Sequence, residues 1–451
     1  MRLPKYPSYK ESGIGWVGCI PSHWTVMQLG QASTERCDGP FGSGLTSDHY
    51  TDEGALVVRL QNIKAEGFYA GEPAYIDVSY FRNELTRHAV IPDDLLIAGL
   101  GDDRNLVGRA CVAPAGLGEA LVKADCFRFR LDQSLALPAF AALQLTAGAA
   151  FDAGSLAGGT TRSRIPLGAM ASRKIALPPM NEQCAIASFL ESETAKIDAL
   201  IAEQEKLIAL LAEKRQATIS HAVTKGLDPS APMKDSGVAW LGKVPAHWVI
   251  TRLKFIAKVQ TGIAKGKDTA GKETIDVPYL RVANVQDGFL ALDDVATLAI
   301  EPEQLMRYRL LPGDVLMNEG GDFDKLGRGA VWHGEIPDCV HQNHVFAVRP
   351  HGVSAEWLNQ ITSSHHAQFY FMCRSKQSTN LASISSTNIM DLPVLLPPVD
   401  EQYEILAFIA EETGRLDALR AASDKAIALL RERRSALIAA AVTGQIDVRN
   451  A

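Results

Sequence analysis

The sequence contains no apolar run long enough to span a bilayer, which excludes a bundle of membrane-spanning helices. It has no C-x-x-C pair, and its seven cysteines are scattered and odd in number. A disulfide framework and a structural zinc site are therefore not expected. The one cluster with a ligand flavour, Cys339-x-His341-x-x-His344, also has the alternation of a strand, so no metal is expected there. Neither a G-x-x-x-x-G-K-[ST] phosphate cradle nor a G-x-S-x-G elbow occurs. Phe41-Gly-Ser-Gly44 lacks the spacing of an S-adenosylmethionine loop, and no N/D-P-P-Y/F tetrapeptide is present to grip a target base. Asp102, Asp103, Asp322 and Asp324 stand beside glycines and read as turn residues. No catalytic residues are expected. The opening Met1-Arg-Leu-Pro-Lys-Tyr-Pro7 has no apolar core of a signal peptide, which predicts cytoplasmic residence.

A basic excess is also missing, since the 451 residues carry a net charge of −7. That charge is localised. Residues 181–228 hold eight acids against five Lys and Arg, and residues 400–447 hold nine against six. The rest of the chain is close to neutral. Acidic segments suit a protein partner and leave the remaining domains their cations for other contacts, so DNA is not excluded.

What the chain does have is duplication. Lys10-Glu-Ser-Gly-Ile-Gly-Trp-Val-Gly-Cys-Ile-Pro-Ser-His-Trp24 returns as Lys234-Asp-Ser-Gly-Val-Ala-Trp-Leu-Gly-Lys-Val-Pro-Ala-His-Trp248. Leu177-Pro-Pro-Met-Asn-Glu-Gln183 returns as Leu396-Pro-Pro-Val-Asp-Glu-Gln402. Repeats this long are not solenoid units. They predict two tandem domain-plus-helix units with internal pseudo-twofold symmetry, and such symmetry suits a target that comes in two halves.

Each Leu-Pro-Pro motif should lead into a long helix, with Asn181 or Asp400 as N-cap and Glu182 or Glu401 in the first turn. Leu190, Ile197, Gln204 and Leu211 recur at one heptad position, with Leu200 and Leu207 at its partner and Ile201 and Ile208 widening the stripe. The second copy places Ile409, Leu416, Ser423 and Leu430 at the same position, followed by Leu419, Ala426 and Ile427. About forty helical residues reach roughly 60 Å, and the apolar stripe predicts a coiled-coil pair of the two helices. Gln204 and Ser423 either fix its register or are tolerated at a frayed point.

The segments before the helices are rich in Gly, Pro and short β-prone runs such as Leu56–Leu60 and Val277–Val282, with helical patches at Leu135–Ala147 and Ala355–Phe371. Each reads as an α+β domain. The expected division is 1–180, helix 181–226, 227–398 and helix 399–447. The two domains share a frame: Arg59-x-x-Asn62 against Arg281-x-x-Asn284, Pro92-x-Asp94-x-Leu96 against Pro312-x-Asp314-x-Leu316, and Gly101-Asp102 against Gly321-Asp322. Between these anchors the copies diverge.

The polar residues at hand suit nucleic acid. Arg, Gln and Asn form bidentate pairs with guanine and adenine edges, while hydroxyl- and base-rich loops suit phosphates. The candidates in the first copy are Ser43, Arg59, Gln61, Asn62, Lys64, Arg104, Asn105, Thr160, Thr161 and Arg162. In the second they are Lys265, Lys267, Arg281, Asn284, Lys325, Arg374 and Lys376. Arg59 and Arg281 belong to the shared frame, which favours bracing over reading for them.

In the Trp16-x-Gly-x-Ile-Pro-x-His-Trp24 motif, Val58-Arg-Leu-Gln-Asn-Ile63, Tyr279-Leu-Arg-Val-Ala-Asn-Val285 and the doubled Leu-Pro-Pro-x-x-Glu-Gln starts, the chain resembles the specificity (HsdS) subunit of Type I restriction–modification enzymes. The resemblance implies two target recognition domains joined by two long antiparallel helices, each domain reading one half of a split site in double-stranded DNA. The helices would set the spacer and dock two methyltransferase subunits, and restriction subunits would join the complex. S-adenosylmethionine, ATP and Mg are implied on those partners and no cofactor on this chain, a non-catalytic subunit of an adenine-methylating restriction enzyme. The competing readings are a scaffold binding protein or carbohydrate through two α+β domains, and an autonomous methyltransferase, which the missing motifs oppose.

Overall fold

Runs of buried β-prone residues form the same four-stranded antiparallel sheet twice. In the computed structural model, which describes residues 4–155 (backbone alone for 152–155), 163–266, 271–321, 323, 326–377 and 382–449, the chain divides into two compact units. The first comprises Met1–Gln204 with Lys425–Ala451, and the second Glu205–Asp424.

The first unit has a four-stranded antiparallel sheet in the order Ser33–Cys37, Cys126–Leu131, Leu95–Ala98, Ala110–Val112. Leu95–Ala98 is buried at every position, as a central strand covered on both faces must be. Its register sets Leu95 against Phe129 and Ile97 against Phe127. A second sheet contains the parallel pair Ala55–Val58 and Ala120–Val122. The helix Pro138–Ser155, predicted three residues earlier and ending sooner, places Phe140, Ala141 and Leu145 in the core with Phe127, Phe129 and Trp24.

The second unit repeats the order with Ala257–Thr261, Val345–Pro350, Asp314–Asn318 and Gly329–Trp332. The parallel pair returns as Ile275–Leu280 with Val340–His341. The helical patch expected over Ala355–Phe371 is two helices, Ala355–Thr362 and His365–Arg374, each started by a serine N-cap, Ser354 and Ser364.

Two long helices, Met180–Lys225 and Val399–Val442, follow the Leu-Pro-Pro motifs. Both begin one residue before the expected N-cap, so Asn181 and Asp400 lie in the first turn. The Pro179 carbonyl accepts from the amides of Glu182 and Gln183, and Pro398 accepts from Gln402. The Gln183 side chain ties the start further, donating to Leu135 O and Pro178 O and accepting from Leu137 N.

Within each unit, one end of one helix runs antiparallel to the other end of the second. In the first, Ile186 and Leu190 share a core with Ile438, Ala441 and Val442, and Arg434 meets Asp198 at 2.9 Å. In the second, Ala222 and Val223 join Ile405 and Ile409, and Arg215 meets Asp417 at 2.8 Å. At the heptad position, Leu190, Ile197, Leu211, Ile409, Leu416 and Ser423 are all buried, with Gln204 and Leu430 half-buried.

Its expected partner is corrected. Leu200, Leu207 and Leu419 are 52%, 40% and 54% exposed. From Ile197, Gln204, Ile409 and Ser423 the seam continues four residues on rather than three, through half-buried Ile201 and Ile208 and buried Thr413 and Ile427. The unit boundary falls beside the two polar seam residues, Gln204 and Ser423. No helix among the described residues is long and apolar enough to cross a membrane.

Candidate nucleic-acid interface

In both units a tight turn follows a sheet strand and is locked by its own asparagine. The Arg59 amide donates to Asn62 Oδ1 at 2.8 Å, and Asn62 Nδ2 donates to Tyr69 O at 2.8 Å. The Arg281 amide donates to Asn284 Oδ1 at 2.8 Å, and Asn284 Nδ2 donates to Ala291 O and Asp294 O at 2.8 and 2.9 Å. Both asparagines are buried and spent on the turn, so neither amide reaches a base edge here.

Arg59 Nη2 donates to Glu72 O, and Arg281 Nη2 donates to Asp294 O and pairs with its carboxylate at 2.8 Å. The two arginines brace the bend that precedes the returning strand. Residues 59–64 and 281–286 have identical burial, with Gln61 and Ala283 exposed at matched positions and Lys64 and Gln286 half-buried. The frame is common and the displayed side chains differ.

Around the first turn the structure gathers three sequence candidates, Gln61, Lys64 and Asn105. Lys64 Nζ donates to Asn105 Oδ1 at 3.2 Å, and Gln61, Lys64, Asp102, Asn105 and Arg109 line an open cavity of about 250 Å³. Asp102 Oδ1 accepts from the amides of Arg104 and Asn105 at 2.9 and 2.7 Å, and these bonds hold its carboxyl below the usual range. Exposed Arg104 is thus carried on a defined turn.

Ser43 is exposed on a short turn, Gly42–Gly44, beside Phe41. The Arg164 guanidinium lies 5.5 Å from the Phe41 ring centre and pairs with Asp125 at 2.7 Å. In the second unit Lys265 and Lys376 are exposed, and Arg374 lies 5.5 Å from the Tyr370 ring centre. Thr160, Thr161, Arg162, Lys267 and Lys325 lie outside the described residues. Cys339, His341 and His344 are engaged separately, with His341 Nδ1 on Val345 O and His344 Nδ1 on Glu319 Oε2.

Asp38 lies at the base of the Phe41 turn, where its Oδ1 accepts from the amides of Gly39 and Asp125, and burial pushes its carboxyl up to about 6. The folded value lies above the ordinary 3.8, so folding favours the protonated form. The resulting stabilisation is complete below about pH 4 and is lost as pH rises through about 6. Asp38→Asn should flatten that dependence and leave the chain more stable than the native one at pH 8. Urea midpoints from pH 4 to 8 check this, and an unchanged slope contradicts it.

Sequence reasoning missed two features. Glu182 is where the Trp24 motif and the Leu-Pro-Pro helix start meet. It accepts from Trp24 Nε1 at 2.9 Å and the Tyr6 hydroxyl at 2.6 Å, with His23 Nε2 at 2.8 Å. Burial, then Glu182, raises the Tyr6 pKa. Glu401 repeats the clamp with Trp248 Nε1 at 3.0 Å and His247 Nε2 at 2.7 Å. The second feature is Arg109, buried beneath the first turn. Its only sequence signal was the repeated Gly-Arg of Gly108-Arg109 and Gly327-Arg328.

The fold and this surface define a duplicated α+β protein with two polar turns on one frame and a long helix following each globular part. No protein-family model matches the chain. Over 442 residues it is 22% identical to the Type I restriction enzyme EcoKI specificity subunit of Escherichia coli K12, covering 96% of this chain and 91% of that protein. It is 20% identical to the StySPI specificity subunit of Salmonella potsdam, again over 96% and 91%. The crystal structure of the HsdS subunit from Thermoanaerobacter tengcongensis matches with a TM-score of 0.50 and 17% identity, over 95% of this chain and 98% of that one. A structure solved to explain complex assembly and conformational transition of the type I R-M system matches with a TM-score of 0.62 and 17% identity, over 94% and 98%. In sequence and in fold the chain is HsdS-like.

Proposed function

We propose that this chain is the DNA-recognition subunit of a Type I restriction–modification complex, binding a bipartite site with one recognition domain per half. Residues 1–180 and 227–398 are the two domains. One observation carries the reading: turns 59–64 and 281–286 have the same bracing and burial but display Gln61 and Lys64 in one and Ala283 and Gln286 in the other. Such a frame holds two readers of different sequences in equivalent poses. The relatives, named as specificity subunits, support it.

In this reading Gln61, Lys64, Arg104 and Asn105 face base edges and phosphates of one half-site. Lys265, Arg374 and Lys376 face the other, while Arg59, Asn62, Arg281 and Asn284 hold the turns. The chain supplies recognition and the partners supply methylation and cleavage, in the cytoplasm. Exchange of residues 1–180 for the corresponding segment of another specificity subunit tests this. The recognised motif should change in one half only; a change in both halves contradicts domain-wise reading.

Leu200, Leu207 and Leu419, left exposed by the helical seam, suit docking of two methyltransferase subunits, with restriction subunits joining that assembly. Leu207→Glu combined with Leu419→Glu should leave stability within about 0.5 kcal/mol. The same variant should weaken capture of the methyltransferase subunit by about tenfold or more, since one or two apolar anchors dominate such contacts. Co-purification at graded concentration measures it, and undiminished capture contradicts the docking face.

A further inference from the structure

Beneath the cavity of the first unit, one side chain holds two separate segments at once. Arg109 is 5% exposed, and its guanidinium donates only to backbone carbonyls among the described residues. Nε donates to Ile63 O at 2.7 Å and Nη2 to Leu60 O at 2.9 Å, both in the turn that displays Gln61 and Lys64. Nη1 donates to Asn105 O and Leu106 O at 2.9 Å, in the loop that displays Arg104 and Asn105. A planar fork with five fixed donors can join four carbonyls in this way, and a lysine ammonium cannot. Above the guanidinium, the Lys64–Asn105 bond closes the same two segments from the solvent side.

Among the described residues, the second unit holds the corresponding turn with a different residue. The carbonyls corresponding to Leu60 and Ile63 are those of Val282 and Val285. They are held by the Asn318 amide, at 3.4 and 2.9 Å, from the position matching Ala98. The counterpart of Arg109, Arg328, also follows a left-handed glycine (φ 72° at Gly327, 83° at Gly108) but is half-buried near Asp287. The shared turn thus has a donor beneath it in both units, and among the described residues only the first unit's donor also spans to the neighbouring loop.

We infer that Arg109 is a positioning residue for DNA specificity: it locks residues 60–64 and 100–106 into one rigid reading surface for a base-pair edge in the first unit's half-site. This rests on the recognition function proposed above and names the residue that makes one half of it selective. Arg109 touches no DNA in this account. It acts through Gln61, Lys64 and Asn105, whose bidentate or charge-assisted contacts discriminate bases only when held in register.

The test uses the full chain assembled with its methyltransferase subunits, with the methylated motif read by single-molecule sequencing. Arg109→Ala should relax base discrimination in one half-site by about tenfold or more, leaving the other half and the spacer as in the native complex. Arg109→Lys, which keeps the charge and most of the volume, should relax the same half; it serves as the working variant if the alanine form does not fold. Amide exchange should rise in 60–64 and 100–106 together in either variant, whereas Asn318→Ala should loosen the 282–285 turn alone.

A motif that stays sharp in both halves, or relaxes equally in both, overturns the inference. If the native complex yields no split motif, the recognition function itself fails. Amide exchange would still show whether Arg109 couples the two segments, and independent loosening would overturn that coupling.

Discussion

Replacing Glu182 by alanine is expected to destabilise the first unit by about 3 kcal/mol or more, because buried donors left without an acceptor cost about 1–3 kcal/mol each. Glu182 is 3% exposed and accepts from two buried donors, the Tyr6 hydroxyl and Trp24 Nε1, as well as lying on His23 Nε2. It also stands in the first helical turn, where its charge complements the helix dipole. Its loss therefore separates the sheet-side Trp24 motif from the long helix that follows. Glu182→Gln keeps an acceptor for the two donors and should recover part of the loss.

The duplicate supplies the control. Glu401 is 25% exposed and holds Trp248 and His247 without a tyrosine, so water can replace it in part. Glu401→Ala should cost roughly 1–2 kcal/mol. Amide exchange resolved by unit, across a denaturant series, measures both. Equal costs would mean that the carboxylates are helix-dipole partners and not clamps.

Replacing Asp314 by alanine should destabilise the second unit by roughly 3–5 kcal/mol, the range found when one partner of a buried ion pair is removed. Asp314 is fully buried, and its two oxygens accept from Arg349 Nε and Nη2 at 2.7 Å and from Leu311 N at 2.8 Å. Asp94 makes the same three bonds in the first unit, to Arg130 at 2.9 and 3.1 Å and to Ile91 N at 2.8 Å. Arg349 is 39% exposed, so its freed charge reaches water and the cost falls toward the lower end. Asp314→Leu with Arg349→Met should recover much of the stability, since an apolar pair removes both desolvation costs together. A double variant no better than Asp314→Ala would show that the Leu311 contact, and not the ion pair, dominates.

The frame was legible because it is written twice. Asp94 and Asp314, the Arg59 and Arg281 turns and the helix starts all stood out as repeated anchors, and each occupies an equivalent place in its unit. Less legible was anything decided by geometry across sequence distance. Glu182 and Trp24 belong to motifs about 158 positions apart, and nothing in the spacing announced their bond. Arg109 carried a repeated Gly-Arg, but only burial explains its role, because a guanidinium facing four carbonyls has the same sequence appearance as a surface cation.

The helical seam was misplaced by one residue on one side. Leu200 and Leu207 were as apolar as Ile201 and Ile208, so composition did not choose between spacings of three and four. Packing chose the β-branched residues at the seam and left the leucines outward.

The most direct test of the central claim is methylation-sensitive sequencing of host DNA with this chain present or absent, alongside a co-expressed Type I methyltransferase subunit. Adenine methylation that depends on this chain, at a split motif with two specified halves around an unspecified spacer, is the expected result. Methylation that is independent of the chain, or that falls on an undivided motif, would contradict bipartite recognition and leave the two α+β domains to be explained as binding modules for protein or carbohydrate.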